Sequence, residues 1–132
     1  MRNEIGQYLW KLWSPNWAFD DETYRQTAKS FDNPDFVDVV VHSYMHRIHN
    51  APGDPRYAPI EAKLAASPKI SVPTIVIHGA DDEVNPVKRS EGHQRFFTGP
   101  YERRVFERVG HNPQQEAPEK FARAVVDLCG RT

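Results

Sequence analysis

A single cysteine, Cys129, leaves the chain without an intramolecular disulfide framework. An excess of charge of either sign is missing too. Lys and Arg number 17 against 18 Asp and Glu, a net charge of −1, which argues against nucleic acid or an anionic membrane as partner. No apolar run is long enough for a transmembrane helix. Met1-Arg2-Asn3-Glu4 has neither the apolar core nor the small-residue cleavage site of a signal peptide. Internal repeats and low-complexity tracts are absent as well. The expectation is a soluble, cytoplasmic protein with no nucleic-acid or membrane partner. At 132 residues the chain has room for a modest core.

What is present centres on Ile70 to Asp82, ISVPTIVIHGADD. Ile70, Val72, Ile75, Val76 and Ile77 form a short apolar run rich in β-branched residues, as expected of a parallel strand buried on both faces. The run stops at Gly79, a residue type that turns sharply without a Cβ penalty, and Asp81 and Asp82 follow at once. The carboxyl ends of strands are where open α/β sheets place their chemistry. Beyond Asp82, Pro86 can open a helix over Val87 to Phe97, which Thr98-Gly99-Pro100 breaks. Tyr101 to Val109 reads as a second strand. Its load of Glu102, Arg103, Arg104, Glu107 and Arg108 suggests an edge, and it ends in Gly110-His111. An acid closing one strand and a histidine closing the next can hydrogen-bond side by side. The acid would fix the imidazole tautomer and leave the other nitrogen as general base.

These residues resemble the C-terminal end of α/β-hydrolase-fold enzymes. That end carries a strand-Gly-x-x-Asp-x-Val-x-Pro turn and later a Gly-His followed by Glu-x-Pro and a helix. Here the turn is Gly79-Ala80-Asp81-Asp82-Glu83-Val84-Asn85-Pro86, so the acid falls on Asp82, with Asp81 as second choice. Gly110-His111, Glu116-Ala117-Pro118 and Phe121 complete the pattern over about half of the chain. The resemblance implies an α/β class, a partial α/β-hydrolase fold. Residues 1–69 would be a helical cap or lid, and residues 70–132 the last two parallel strands with flanking helices. Asp82 and His111 would be the acid and the histidine of a nucleophile–His–acid triad, acting on an ester-like small molecule. No cofactor and no metal enter this reading.

The nucleophile that such a triad needs is absent. The serine elbow is Gly-x-Ser-x-Gly, and none of Ser14, Ser30, Ser43, Ser67, Ser71 and Ser90 has glycines at both flanking offsets. No aspartate sits in such an elbow either. The chain therefore reads as the back part of a hydrolase, expected to be inactive alone. An alternative of another class is a non-catalytic, truncated module. Two strands do not complete the family's sheet, and open strand edges invite pairing, so self-association or a partner supplying the missing sheet is expected.

The first half reads as helices separated by prolines. Ile5, Tyr8, Leu9, Leu12 and Trp13 recur at helical spacing up to Ser14-Pro15. A helix capped by Asp20 or Asp21 is expected through about Ser30, and another after Asn33-Pro34 with Phe36, Val37, Val40, Val41, Tyr44 and Ile48 as its stripe. Its Val39-Val40-Val41 run has strand propensity, which length and cap outweigh. A short helix spans about Pro59 to Ala66. Trp10, Trp13, Trp17 and Tyr44 read as core or as the lining of an apolar pocket. His42, His46 and His49 can share a face, but nothing nearby completes a zinc set, so a solvated face is expected. His78 is expected to be packed or hydrogen-bonded, and His93 to sit on a surface helix.

Overall fold

The structure is a computed structural model that describes residues 2–131. The chain divides into two compact units, residues 1–6 with 19–68, and residues 7–18 with 69–132.

The second unit is built on strands β1 (Thr74–Gly79) and β2 (Tyr101–Phe106). They pair in parallel, in register from Thr74 opposite Tyr101 to Gly79 opposite Phe106. An isolated parallel bridge lies earlier, between Ile70 and Phe97. The apolar run starts at Ile70, yet the strand begins at Thr74, because Pro73 has no N–H to give a ladder. At the other end β2 stops at Phe106 rather than Val109, because Arg108 adopts a left-handed conformation, φ 61°, which ends extended pairing. β1 is half-buried along most of its length instead of buried on both faces. The sheet has two strands, so β1 has a neighbouring strand on one edge only among the described residues.

The expected helix from Val87 to Phe97 is not formed. Two 3₁₀ turns, Val87–Ser90 and His93–Phe96, stand in its place. The carbonyl of Val87, which an α-helix would use, accepts instead from Ser90 Oγ at 3.0 Å and Arg103 Nη2 at 2.9 Å. Gly92 then turns the chain at φ 70°. Side-chain bonds of this kind compete with helix. Beyond β2 come α5 (Pro113–Glu116) and α6 (Pro118–Cys129). Each opens on proline, which is pre-set for the first helical position. Arg104 joins β2 to α6 through Asp127 at 2.8 Å. Phe106, Val109 and Ala124 form the small core.

Helix α1 (Arg2–Trp13) gives its first turn to the first unit and the remainder to the second. The first unit continues with α2 (Asp21–Ala28), α3 (Phe36–Arg47) and α4 (Ala58–Ala65). Asp20 caps α2, accepting the Thr23 N–H at 2.7 Å. The helix then tightens into a 3₁₀ turn over Lys29–Asp32. Asn33 does not cap α3. Its side chain accepts the Asp35 N–H at 2.9 Å and makes a local turn, so α3 begins at Phe36. The valine run 39–41 is helical. Tyr24 and Ala28 are the buried apolar residues here, and the Tyr24 hydroxyl donates to the Asn3 carbonyl at 2.5 Å. No helix among the described residues is long and apolar enough to cross a membrane.

Candidate functional site

Asp82 lies in the turn that leaves β1. Its Oδ1 accepts the N–H groups of Val84 at 2.8 Å and Asn85 at 2.9 Å, so the backbone fixes the carboxylate before any partner arrives. Its side chain is 8 % exposed. His111 leaves the β2 side and brings Nδ1 to 3.0 Å from Oδ2 and 3.1 Å from Oδ1. A carboxylate only accepts, so Nδ1 carries the proton and Nε2 is the nitrogen left for proton transfer. Burial raises the Asp82 pKa. Hydrogen bonds from the Asn85 N–H, the His111 ring and the Val84 N–H outweigh it and hold the carboxyl below its ordinary value.

The two loops are brought together by close backbone approach. A Cβ on Gly79 would lie 2.1 Å from the Gly110 carbonyl oxygen and 2.4 Å from that of Val109. Glycine is therefore required here by space rather than by φ. The Asp81 N–H donates to the Val109 carbonyl at 2.9 Å, while its carboxylate accepts from Asn16 Nδ2 at 2.5 Å. The second-choice acid thus faces Asn16, and Asp82 faces the histidine.

The backbone of residues 110–112 is held as firmly as the acid. Glu116 accepts the N–H of Gly110 at 2.7 Å and that of Asn112 at 2.9 Å. The His111 N–H is shared between Ser14 Oγ and the Trp13 carbonyl, each at 3.1 Å. The Trp13 ring meets the imidazole edge-on at 5.7 Å. Glu116 stood in the motif without a role, and nothing in the spacing pointed to Ser14.

A cleft of about 580 Å³ opens beside the pair, lined in part by His78, Asp82, Arg89, His93 and His111. His78 Nε2 donates to the Asn85 carbonyl at 2.7 Å and lies 3.7 Å from Asp82 Oδ2, a hydrogen-bonded residue beside the acid. His93 sits on a 3₁₀ turn that lines the cleft, not on a surface helix. Trp10 and Trp17 stack at 5.0 Å, whereas Tyr44 is exposed and forms no core. In the first unit His46 bonds Glu61 and the Ala51 carbonyl, and His42 bonds the Pro52 carbonyl. Among the described residues no three His, Cys, Asp or Glu side chains are grouped as metal ligands.

No family model matches the chain, and no curated protein matches it either. Solved structures do. A Klebsiella pneumoniae protein assigned provisionally as an epoxide hydrolase superposes with a TM-score of 0.88 at 40% identity, over 96% of this chain and 42% of its own. This chain is a partial α/β-hydrolase fold. The α/β-hydrolase likeness extends to a serine hydrolase involved in carbazole degradation, CarC, with a TM-score of 0.72 at 19% identity, over 100% of this chain and 48% of that one. The chain thus spans less than half the length of each of these hydrolases.

Proposed function

We propose that Asp82 and His111 are the acid and the histidine of a nucleophile–His–acid hydrolase acting on an ester-like small molecule. The nucleophile would be carried by polypeptide outside these 132 residues. The observation that supports this most is the Nδ1 to Oδ2 approach of 3.0 Å, with the carboxylate already held by two backbone N–H groups. In that reading Nε2 takes the proton of the nucleophile or of an attacking water, and Asp82 stabilises the resulting imidazolium. His111 then returns the proton to the leaving group. The nucleophile's identity separates ester from epoxide chemistry, and none of the serines here sits in an elbow.

A second reading is a non-catalytic module that pairs with itself or with a partner supplying further strands. It is favoured by the β1 edge and by exposed Ile70 and Val72 ahead of it. Both readings expect the purified chain to show no His111-dependent hydrolysis of a chromogenic acyl ester or an epoxide, so a joined protein distinguishes them. Joined behind the uncovered front portion of the Klebsiella protein, the chain should support turnover that falls at least about a hundredfold in His111→Ala, the scale of general base catalysis. A folded joined protein whose turnover is indifferent to His111 would refute the catalytic role.

A further inference from the structure

We propose that Ser14 is a positioning residue for His111, and that the corner Trp13 to Asn16 holds the histidine loop and the acid loop in mutual alignment. The inference rests on the catalytic reading above and extends it to residues that no triad motif contains. Three consecutive backbone N–H groups, those of residues 110, 111 and 112, would be free to swing if the loop were held only at its ends. Glu116 takes the outer two. The middle one, on His111 itself, is taken by Ser14 Oγ and the Trp13 carbonyl. Ser14 is 1 % exposed, and a buried hydroxyl is retained where its hydrogen bonds are used. Asn112 Nδ2 reaches the same oxygen at 3.4 Å.

Packing points the same way. A Cβ on Gly110 would lie 2.5 Å from the Ser14 α-carbon, 2.7 Å from the Trp13 carbonyl oxygen and 2.9 Å from Ser14 Oγ. The two nearest of these atoms are backbone and the third is the short Ser14 hydroxyl, so little can give to absorb a shift. Two residues on, Asn16 binds Asp81, the neighbour of the acid. One short corner thus touches both loops, and the Trp13 ring packs in a T-shaped contact with the imidazole. Ser14 Oγ bonds the backbone N–H of His111 and not its ring. It acts through the peptide that carries the ring.

The test compares Ser14→Ala with Ser90→Ala in the full chain, labelled for nitrogen NMR. Ser90 is a matched control, a buried serine whose hydroxyl bonds Val87 and Arg103 instead. Two signals are read, the Nδ1-bound proton of His111 and the exchange rate of its backbone amide, with thermal stability measured beside them. Ser14→Ala should broaden or move the Nδ1 proton signal and speed the amide exchange about fivefold or more, the scale of one lost hydrogen bond. Ser90→Ala should change neither. If Ser14→Ala lowers stability while both His111 signals match those of Ser90→Ala, Ser14 is merely structural and the proposal is overturned. Should Ser14→Ala not fold, the unaltered chain decides. A His111 amide exchanging as fast as those of exposed loops overturns the proposal, and a protected one supports it. If the unaltered chain shows no Nδ1 proton sensitive to Asp82→Asn, the acid–histidine reading fails first, and this outcome is distinct from a Ser14 failure.

Discussion

The two compact units spend their polar side chains differently. In the strand-bearing unit the polar contacts reach across the sequence. Ser14 binds His111, Asp82 binds His111, Arg103 binds Val87 and Arg104 binds Asp127. Two of them end on backbone, the His111 N–H and the Val87 carbonyl, and Asp82 is itself held by two backbone N–H groups. In the helical unit many of the contacts stay within a turn, as with Asp20 and Thr23, Glu22 and Arg25, or Asp54 and Arg56. Its longer ties include Tyr24 to Asn3, Arg2 to Phe31 and His46 to Glu61. Val39, Val41, Tyr44, Ile48, Ile60 and Leu64 are exposed there. Long-range polar contacts fix positions to within a bond length, which a proton-transfer pair needs. Local contacts support helices and leave their faces available.

That contrast sets an order of expected effects. The largest belongs to Gly79→Ala, whose Cβ would overlap two carbonyl oxygens. It should cost at least about 3 kcal/mol, above the usual overpacking range, or abolish folding, as urea unfolding would show. Next comes Glu116→Ala, which strips the acceptor from two N–H groups and should cost about 2–3 kcal/mol in the same assay. An equal loss from Glu61→Ala, whose pair with His46 is half exposed and should be worth at most about 1 kcal/mol, would erase the difference between the units.

A smaller effect is set by pH. Arg104, then Arg131, pull the Glu102 carboxyl down to about 2, and Asp82 also lies below its ordinary value. A depressed carboxyl adds stability above its unfolded value, about 4, and loses it as pH falls through the folded value. Stability should therefore decline from about pH 4 toward 2, and Glu102→Gln should flatten that decline in acid titration followed by circular dichroism. The smallest effect is expected of Leu64→Gln, on an exposed face of α4, which should shift stability by no more than about 0.5 kcal/mol. A loss several times larger would mean that this face is covered in solution.

The strands, their parallel pairing and the meeting of Asp82 with His111 were legible in the sequence, because each rests on local chemistry: β-branched runs, glycine stops and an acid or histidine directly after them. What the sequence concealed depends on neighbours distant along the chain. Val87 to Phe97 follows a helix-opening proline, but Arg103 and Ser90 occupy the carbonyl that a helix would use. His93 lies on the second 3₁₀ turn and lines the cleft. Ser14 looked like a helix end before Pro15. Its partner lies 97 positions away, a separation that no periodicity encodes. β1 read as doubly buried because its composition suits a wider sheet, while the described residues supply one neighbouring strand.

The most direct test of the acid–histidine pair is nitrogen-edited NMR of the histidine ring protons in the unaltered chain and in Asp82→Asn. A downfield Nδ1 proton on His111 is expected, slow to exchange and lost or strongly shifted in the variant. A folded chain in which that proton is absent, or is identical with and without the Asp82 carboxylate, would contradict it.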